Sequence, residues 1–199
     1  RDRVVGRIAM VNSAEELVYD VVVDVVGDGW EVKSYMTKLT GLTEEMCAKG
    51  VPLKEAVEGL KEKLPKEAVL VGQGIHHDIE WLSLKEGVDF HTSFDLAEMF
   101  KLRIADKWTP EGVGSLRFRF FSLRHTVLAL TGVDMQSDDH NPVDDAAYSV
   151  RLYEKYKDVS DEHMEAVRVS VSRAPVTPSF AQRWVVLEGV MMGKDCYRL

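Results

Sequence analysis

The run Ala68-Val69-Leu70-Val71-Gly72, followed by Gln73-Gly74 and the polar stretch Ile75-His76-His77-Asp78, constrains the fold more than any other feature. An apolar run this short, without alternation, reads as a strand covered on both faces, the habit of parallel sheets. A parallel neighbour needs a crossover, usually a helix, and the pattern offers one from Asp78 to Leu84. Helical spacing recurs at Pro52 to Leu64 (Leu53, Ala56, Val57, Leu60, Leu64), at Ser122 to Leu130 and at Pro142 to Tyr156. Proline at a helix start and proline just past its end suit those positions. Further strands are expected at Val4 to Val11, Leu17 to Val26 and Trp184 to Val190, with a weaker one at Val88 to Phe94. Residues 103–115 read as a loop, and Ala174 to Ser179, with two prolines, as linker. Strands interleaved with helices imply a mixed α/β sheet with helices packed on it.

With 199 residues, 45% of them apolar and 29% charged, the chain is long enough to bury one sizeable core. Its apolar stretches fall far short of the roughly 20 residues a membrane span needs, and Arg1 to Val4 opens no signal-peptide core. The net charge of −8 argues against indiscriminate nucleic-acid binding. Cys47 and Cys196 build no disulfide framework and fit a reducing, intracellular compartment, whether nuclear, nucleolar or mitochondrial.

Two segments carry chemistry. Asp78 falls beside the carboxyl end of a strand, where open α/β sheets keep their sites; it is either a functional carboxylate or the cap of its helix. The segment Asp138 to Ala147 holds Asp138, Asp139, Asp144, Asp145 and His140. Asp145 suits a hard divalent cation, which prefers carboxylate oxygen. His140, just before the helix, is placed to take a proton from water. Asp138, Asp139 and Asp144 read as acidic residues complementing a helix N-terminus. A third stretch, 101–125, concentrates Lys101, Arg103, Lys107, Arg117, Arg119 and Arg124 against Asp106 and Glu111, interleaved with Trp108, Phe118, Phe120 and Phe121. Arginine and lysine with aromatics suit single-stranded RNA. The other reading is a strand whose phenylalanines are buried and whose arginines are solvated.

The segments RIAMVN (7–12), VYD (18–20), TGLT (40–43), VGQGIHHDIEWL (71–82), SLRH (122–125) and H-x4-DAA…LY (140–153) occur in an order that resembles the DEDDh 3′–5′ exonucleases, specifically the eukaryotic RNA exonuclease branch. The resemblance covers residues 4–156. It implies an RNase-H-like mixed central sheet flanked by helices, Mg2+ or Mn2+ as cofactor, and as partners a single-stranded RNA 3′ end or ribonucleoprotein proteins, with no membrane. By position it implies Asp78, Asp145 and Glu188 as metal ligands and His140 as catalytic base; Lys101, Lys107, Arg117, Arg119 and Arg124, from the basic stretch 101–125, are the candidate nucleic-acid contacts.

The family's first motif, D-x-E before the RIAMVN strand, finds its best match at Val186-Leu187-Glu188-Gly189-Val190. The resemblance therefore implies a circular permutation, or segments running out of the family's order. Residues 1–156 are then the exonuclease-like domain, 157–182 a linker or extension, and 183–199 the first strand of that same domain. The alternative is an ordinary strand at 186–193, with the first motif outside this sequence. In the permuted reading the motif's aspartate is Glu188 and its glutamate is Val190, which cannot ligate. The expectation is a degraded metal site and a weakly active or inactive RNA-associated module, the alternative being an active Mg-dependent exoribonuclease processing structured-RNA 3′ ends. The motif histidine is replaced by Gln73. Asp95 and His125 are expected to be structural.

Overall fold

The computed structural model describes residues 3–27, 29, 31–108, 114–136 and 140–192, leaving out the side chains of 105–108, 114 and 115. Strand β1 (Arg7–Val11) turns through Asn12, whose side-chain oxygen accepts the N–H groups of Ala14 and Glu16, into β2 (Leu17–Val22). The two pair antiparallel, with Ala9 opposite Asp20. Short helices α1 (Thr37–Thr40) and α2 (Glu44–Cys47) follow, Thr43 capping the second through Met46 N–H at 3.2 Å. Helix α3 (Leu53–Lys63) ends before Pro65 and buries Ala56 and Leu60.

Strand β3 (Val69–Gly72) pairs in parallel with β4 (Thr92–Asp95), and α4 (Ile75–Trp81) makes the crossover. The expected parallel unit is present, with its helix starting three residues before Asp78. Helix α5 (Leu96–Phe100) leads into β5 (Leu102–Trp108) and β6 (Gly114–Arg119), an antiparallel ribbon where a loop was expected over 103–115. A ladder is held by backbone bonds, so a charged, glycine-containing sequence can form one when its two arms are adjacent in the chain.

Helices α6 (Leu123–Thr131), α7 (Pro142–Tyr156) and α8 (Asp161–Arg173) complete the helical layer. Helix α7 packs across both β1 and β3, bringing the two ladders under one helix. Helix α8 packs on α5, α6 and β5 and buries Met164, Val167 and Val171. Residues 157–182 are thus more than a connection. The apolar stripe on α8 is only three side chains wide, and the polar residues around it disguise it in the sequence.

Helix α9 (Phe180–Arg183) precedes β7 (Val186–Leu187) and β8 (Val190–Met191), which pair with each other. The expected single strand over Trp184 to Val190 is corrected: the run folds back on itself, and among the described residues it forms no ladder with β1. Glu188 at φ 47° and Gly189 at φ 76° occupy the two central positions of the hairpin. Positive φ at both is the two-residue loop whose twist matches that of paired strands. Among the described residues the sheet layer is four two-stranded ladders instead of one continuous sheet.

Two cores result. Ile8, Val23, Leu42, Leu60 and Phe90 centre the first, under β1 and β2. Leu96, Phe100, Leu123, Val127, Leu152 and Tyr156 centre the second, between α5, α6, α7 and α8, with Met164 and Val167 joining from α8. Burying each such side chain contributes roughly 1.5–3 kcal/mol. Cys47 is a buried free thiol, and Cys196 lies outside the described residues. No helix is long and apolar enough to cross a membrane among the described residues.

Candidate active site

The loop between β3 and α4 sets one wall. Gly74 sits at φ 69°, where a side chain would be strained, and its N–H donates to Asp95 Oδ1 at 2.9 Å. The same oxygen accepts from Ala97 N–H at 2.8 Å, so Asp95 caps α5 and pins the loop, the structural role expected of it. Gln73 donates from Nε2 to the Phe121 carbonyl at 3.0 Å, tying the loop to the start of α6. The residue replacing the motif histidine is thus used as a strut.

Gly74, not Asp78, is the N-cap residue of α4, and Asp78 stands one turn inside. Its carboxyl is reachable by solvent. Packing of protein around it nonetheless raises its pKa through desolvation, aided by the negative charge of Asp145, against the lowering effects of a backbone hydrogen bond, His77 and His76. That coupling brings Asp78 and Asp145 into one neighbourhood although 67 residues separate them in sequence.

Helix α7 supplies the other wall. Asn141 caps it by accepting from Val143 N–H at 3.2 Å, and Pro142 occupies its first turn. His140 immediately precedes the cap, and its N–H donates to the Leu39 carbonyl at 2.7 Å, anchoring it to α1. Its Nδ1 lies 3.9 Å from Asp145 Oδ2. The Phe180 ring meets the imidazole edge-on at 6.3 Å between centroids. Asp145 Oδ1 accepts from Gln136 Nε2 at 2.9 Å. Gln136 is only 6% exposed, a buried amide holding one face of the carboxylate. Sequence reasoning missed it: a single glutamine after Asp134-Met135 carries no local signal. Asp144 is exposed on the first turn, and Asp138 and Asp139 lie outside the described residues.

Glu188 is engaged elsewhere. Its carboxylate accepts Ser34 Oγ–H, Met36 N–H at 2.9 Å and Thr37 N–H at 2.8 Å. These donors hold its pKa below the usual range, the Ser34 hydroxyl most of all, and neither Asp78 nor Asp145 figures among the groups acting on it. A two-cation site draws on several carboxylates around both ions. Among the described residues no three His, Cys, Asp or Glu side chains are grouped to hold a metal ion. Asp78 and Asp145 alone, one of them already bonded by Gln136, do not fit a two-cation clamp.

The basic residues part ways. Arg124 grips Asp134 with two hydrogen bonds, Nε to Oδ1 at 2.7 Å and Nη2 to Oδ2 at 2.6 Å. Lys101 pairs with Glu98 and lies over the Phe118 ring. Arg117 and Arg119 are exposed on β6. Lys107 is on β5, with its side chain outside the described ones. Phe118 and Phe120 are exposed and only Phe121 is buried, so the expectation of a buried phenylalanine face holds for one ring of three.

A parallel βαβ unit, an antiparallel ladder and a helix spanning both are arranged in an RNase-H-like fold. Solved structures bear this out. The Pan2 catalytic unit (protease and nuclease domain) of Neurospora crassa superposes with a TM-score of 0.61 at 16% identity, covering 87% of this chain and 27% of that one. The Saccharomyces cerevisiae Pan2 pseudoubiquitin hydrolase–RNA exonuclease module in complex with AACCAA RNA superposes with a TM-score of 0.64 at 20% identity, covering 85% and 27%. In sequence the chain is similar to RNA exonuclease 4 of Candida glabrata, 26% identical over 164 residues, 82% of this chain and 57% of that protein. It is also 25% identical over 167 residues to the polyA-specific ribonuclease subunit panl-2 of Caenorhabditis elegans, 80% of this chain and 13% of that one. The chain thus spans from about an eighth to just over half of these relatives. No family model matches it.

Proposed function

We infer that this chain is a 3′–5′ exoribonuclease-like domain with a degraded metal site, an RNA-associated module of weak or no activity within a ribonucleoprotein assembly. The observation that carries this reading is the engagement of Glu188 by Ser34, Met36 and Thr37, which leaves Asp78 and Asp145 as a pair. Similarity to RNA exonucleases supports the RNA association. Val190 adds to it: this half-buried residue pairs with Leu187 inside a hairpin and supplies no ligand.

A second reading, an active Mg2+- or Mn2+-dependent 3′–5′ exoribonuclease acting on structured-RNA 3′ ends, is favoured by one observation. His140 and Asp145 remain 3.9 Å apart, with Asp78 close enough to feel the charge of Asp145. In that reading Asp78 and Asp145 hold the cation and His140 accepts the proton of the attacking water.

Degradation of a 5′-labelled single-stranded RNA, with Mg2+, with Mn2+ and with EDTA, beside Asp145→Ala, separates the two. No laddering by the folded protein agrees with the first reading. Metal-dependent degradation through many turnovers, with the chain at a small fraction of the RNA concentration, that Asp145→Ala abolishes overturns it in favour of the second.

A further inference from the structure

The β5–β6 ribbon pairs with no other strand among the described residues, and its two faces differ in an unusual sense. Arg103 lies opposite Phe118, so both project from one face, which alternation extends to Leu116 and Phe120. Leu102 and Ile104 lie opposite Arg119 and Arg117 and define the other face. Leu102 and Ile104 are half-buried. The aromatic face is the open one: Leu116 is 63% exposed, Phe120 55% and Phe118 36%.

Contiguous exposed apolar side chains mark an interaction surface. The chemistry around the rings selects the partner. Lys101 Nζ sits 4.3 Å from the Phe118 ring centroid, and Arg103 is on the same face. Arg117 and Arg119 flank it from the other face. This cluster of cations belongs to a chain of net charge −8. Rings offered to a flat apolar group, with cations around them, complement a polyanion that carries bases. A basic peptide would meet like charge at Arg117 and Arg119, which are exposed.

We propose that the β5–β6 ribbon is a stacking platform for single-stranded RNA: Phe118 and Phe120 take successive bases, and Arg117 and Arg119 meet the phosphates. This rests on the RNA reading above and assigns it residues other than Asp78, His140 and Asp145. Stacking on an aromatic ring is tolerant of base identity, so the platform would hold a strand irrespective of its sequence.

The test is equilibrium binding of a fluorescein-labelled, unstructured RNA of about 12 nucleotides, within the usual span of such sites. It is read by anisotropy in EDTA over a series of NaCl concentrations. Phe118→Ala/Phe120→Ala should weaken binding about ten-fold or more with the salt dependence unchanged, because no phosphate contact is lost. Arg117→Ala/Arg119→Ala should reduce the slope of log K against log salt by about 1.4, roughly 0.7 per phosphate contact on a single strand. Both pairs change exposed side chains, and unaltered thermal melting verifies the fold. Binding by the phenylalanine variant within about two-fold of the unaltered chain, a difference too small for even one lost stacked base, overturns the platform and leaves the RNA reading standing. No RNA binding by the unaltered chain overturns both and assigns the open face to a protein.

Discussion

Glu188 Oε1 accepts the backbone N–H of Thr37 at 2.8 Å across 151 residues of chain. With Met36 N–H and the Ser34 hydroxyl on Oε2, the contact closes the N-terminus of α1 from outside, since α1 has no side-chain cap of its own. The hairpin turn that presents the carboxylate holds Glu188 at φ 47°, a backbone conformation that non-glycine residues rarely adopt.

Replacing Glu188 by Ala removes these acceptors. The expected outcome is a loss of about 1 kcal/mol, the scale of an N-cap, with no effect on whatever RNA degradation the chain shows. The folded-state pKa of Glu188 lies below its ordinary 4.5, so its stabilisation is present above that value and is lost as pH falls through the depressed one. Thermal melts of the two proteins should differ fully at neutral pH and converge in acid. A gap unchanged in strong acid contradicts the capping role.

Asp78 titrates in the opposite sense. Desolvation and the charge of Asp145 disfavour its ionised form in the folded chain. Its destabilising effect therefore sets in as pH rises from the ordinary 3.8 through the raised value. Asp78→Asn should melt higher than the unaltered chain at pH 7 and lose that advantage in acid. Because Asp78 is open to solvent the effect is small. A lower melting temperature at pH 7 in metal-free buffer would contradict it.

Arg124 is a structural residue in this fold. Its paired bonds to Asp134 lower the carboxyl's pKa and raise that of the guanidinium, and Nη1 reaches the Pro178 carbonyl at 3.4 Å. Arg124→Ala should destabilise by about 2 kcal/mol, typical of a charge-assisted bond left unmade, while RNA affinity and its salt slope stay as they were. A reduced salt slope would return Arg124 to the binding surface.

His125 joins three elements. It is 8% exposed, Nε2 is 3.0 Å from the Val171 carbonyl of α8, and Nδ1 is 3.0 Å from Thr177 Oγ1. A carbonyl only accepts, so Nε2 carries the proton and Nδ1 accepts from Thr177. The ring also stacks on Phe121 at 5.5 Å between centroids. His125→Ala should cost about 2–4 kcal/mol, combining a cavity with an unpaired carbonyl, and Thr177→Val about 1 kcal/mol. Chemical denaturation measures both.

Much of the fold was legible because it rests on local pattern. Helix α7 spans Pro142–Tyr156 as the spacing predicts, and β3 pairs in parallel. Misreadings fell where one residue type supports two structures. Glu188-Gly189 looked like part of an apolar strand, yet glycine at the second position let the run reverse. The polar surroundings of Met164, Val167 and Val171 masked the core stripe of α8, and the charges of 102–108 hid the first arm of a ribbon.

The sequence by itself determined the parallel unit, the helix spacing and the identity of the candidate chemistry, Asp78, His140 and Asp145, because each follows from periodicity or from residue type over a few positions. Only the tertiary structure decided which carboxylates share a site. Asp78 comes within reach of the charge of Asp145 because α7 packs across β3, whereas the carboxylate of Glu188 accepts from the start of α1. It also decided that Arg124 binds Asp134 and that Gln136 holds Asp145. A side chain's partner is set by the path of the whole backbone, and charge or hydrogen-bonding capacity is satisfied by whichever complementary group that path brings nearest.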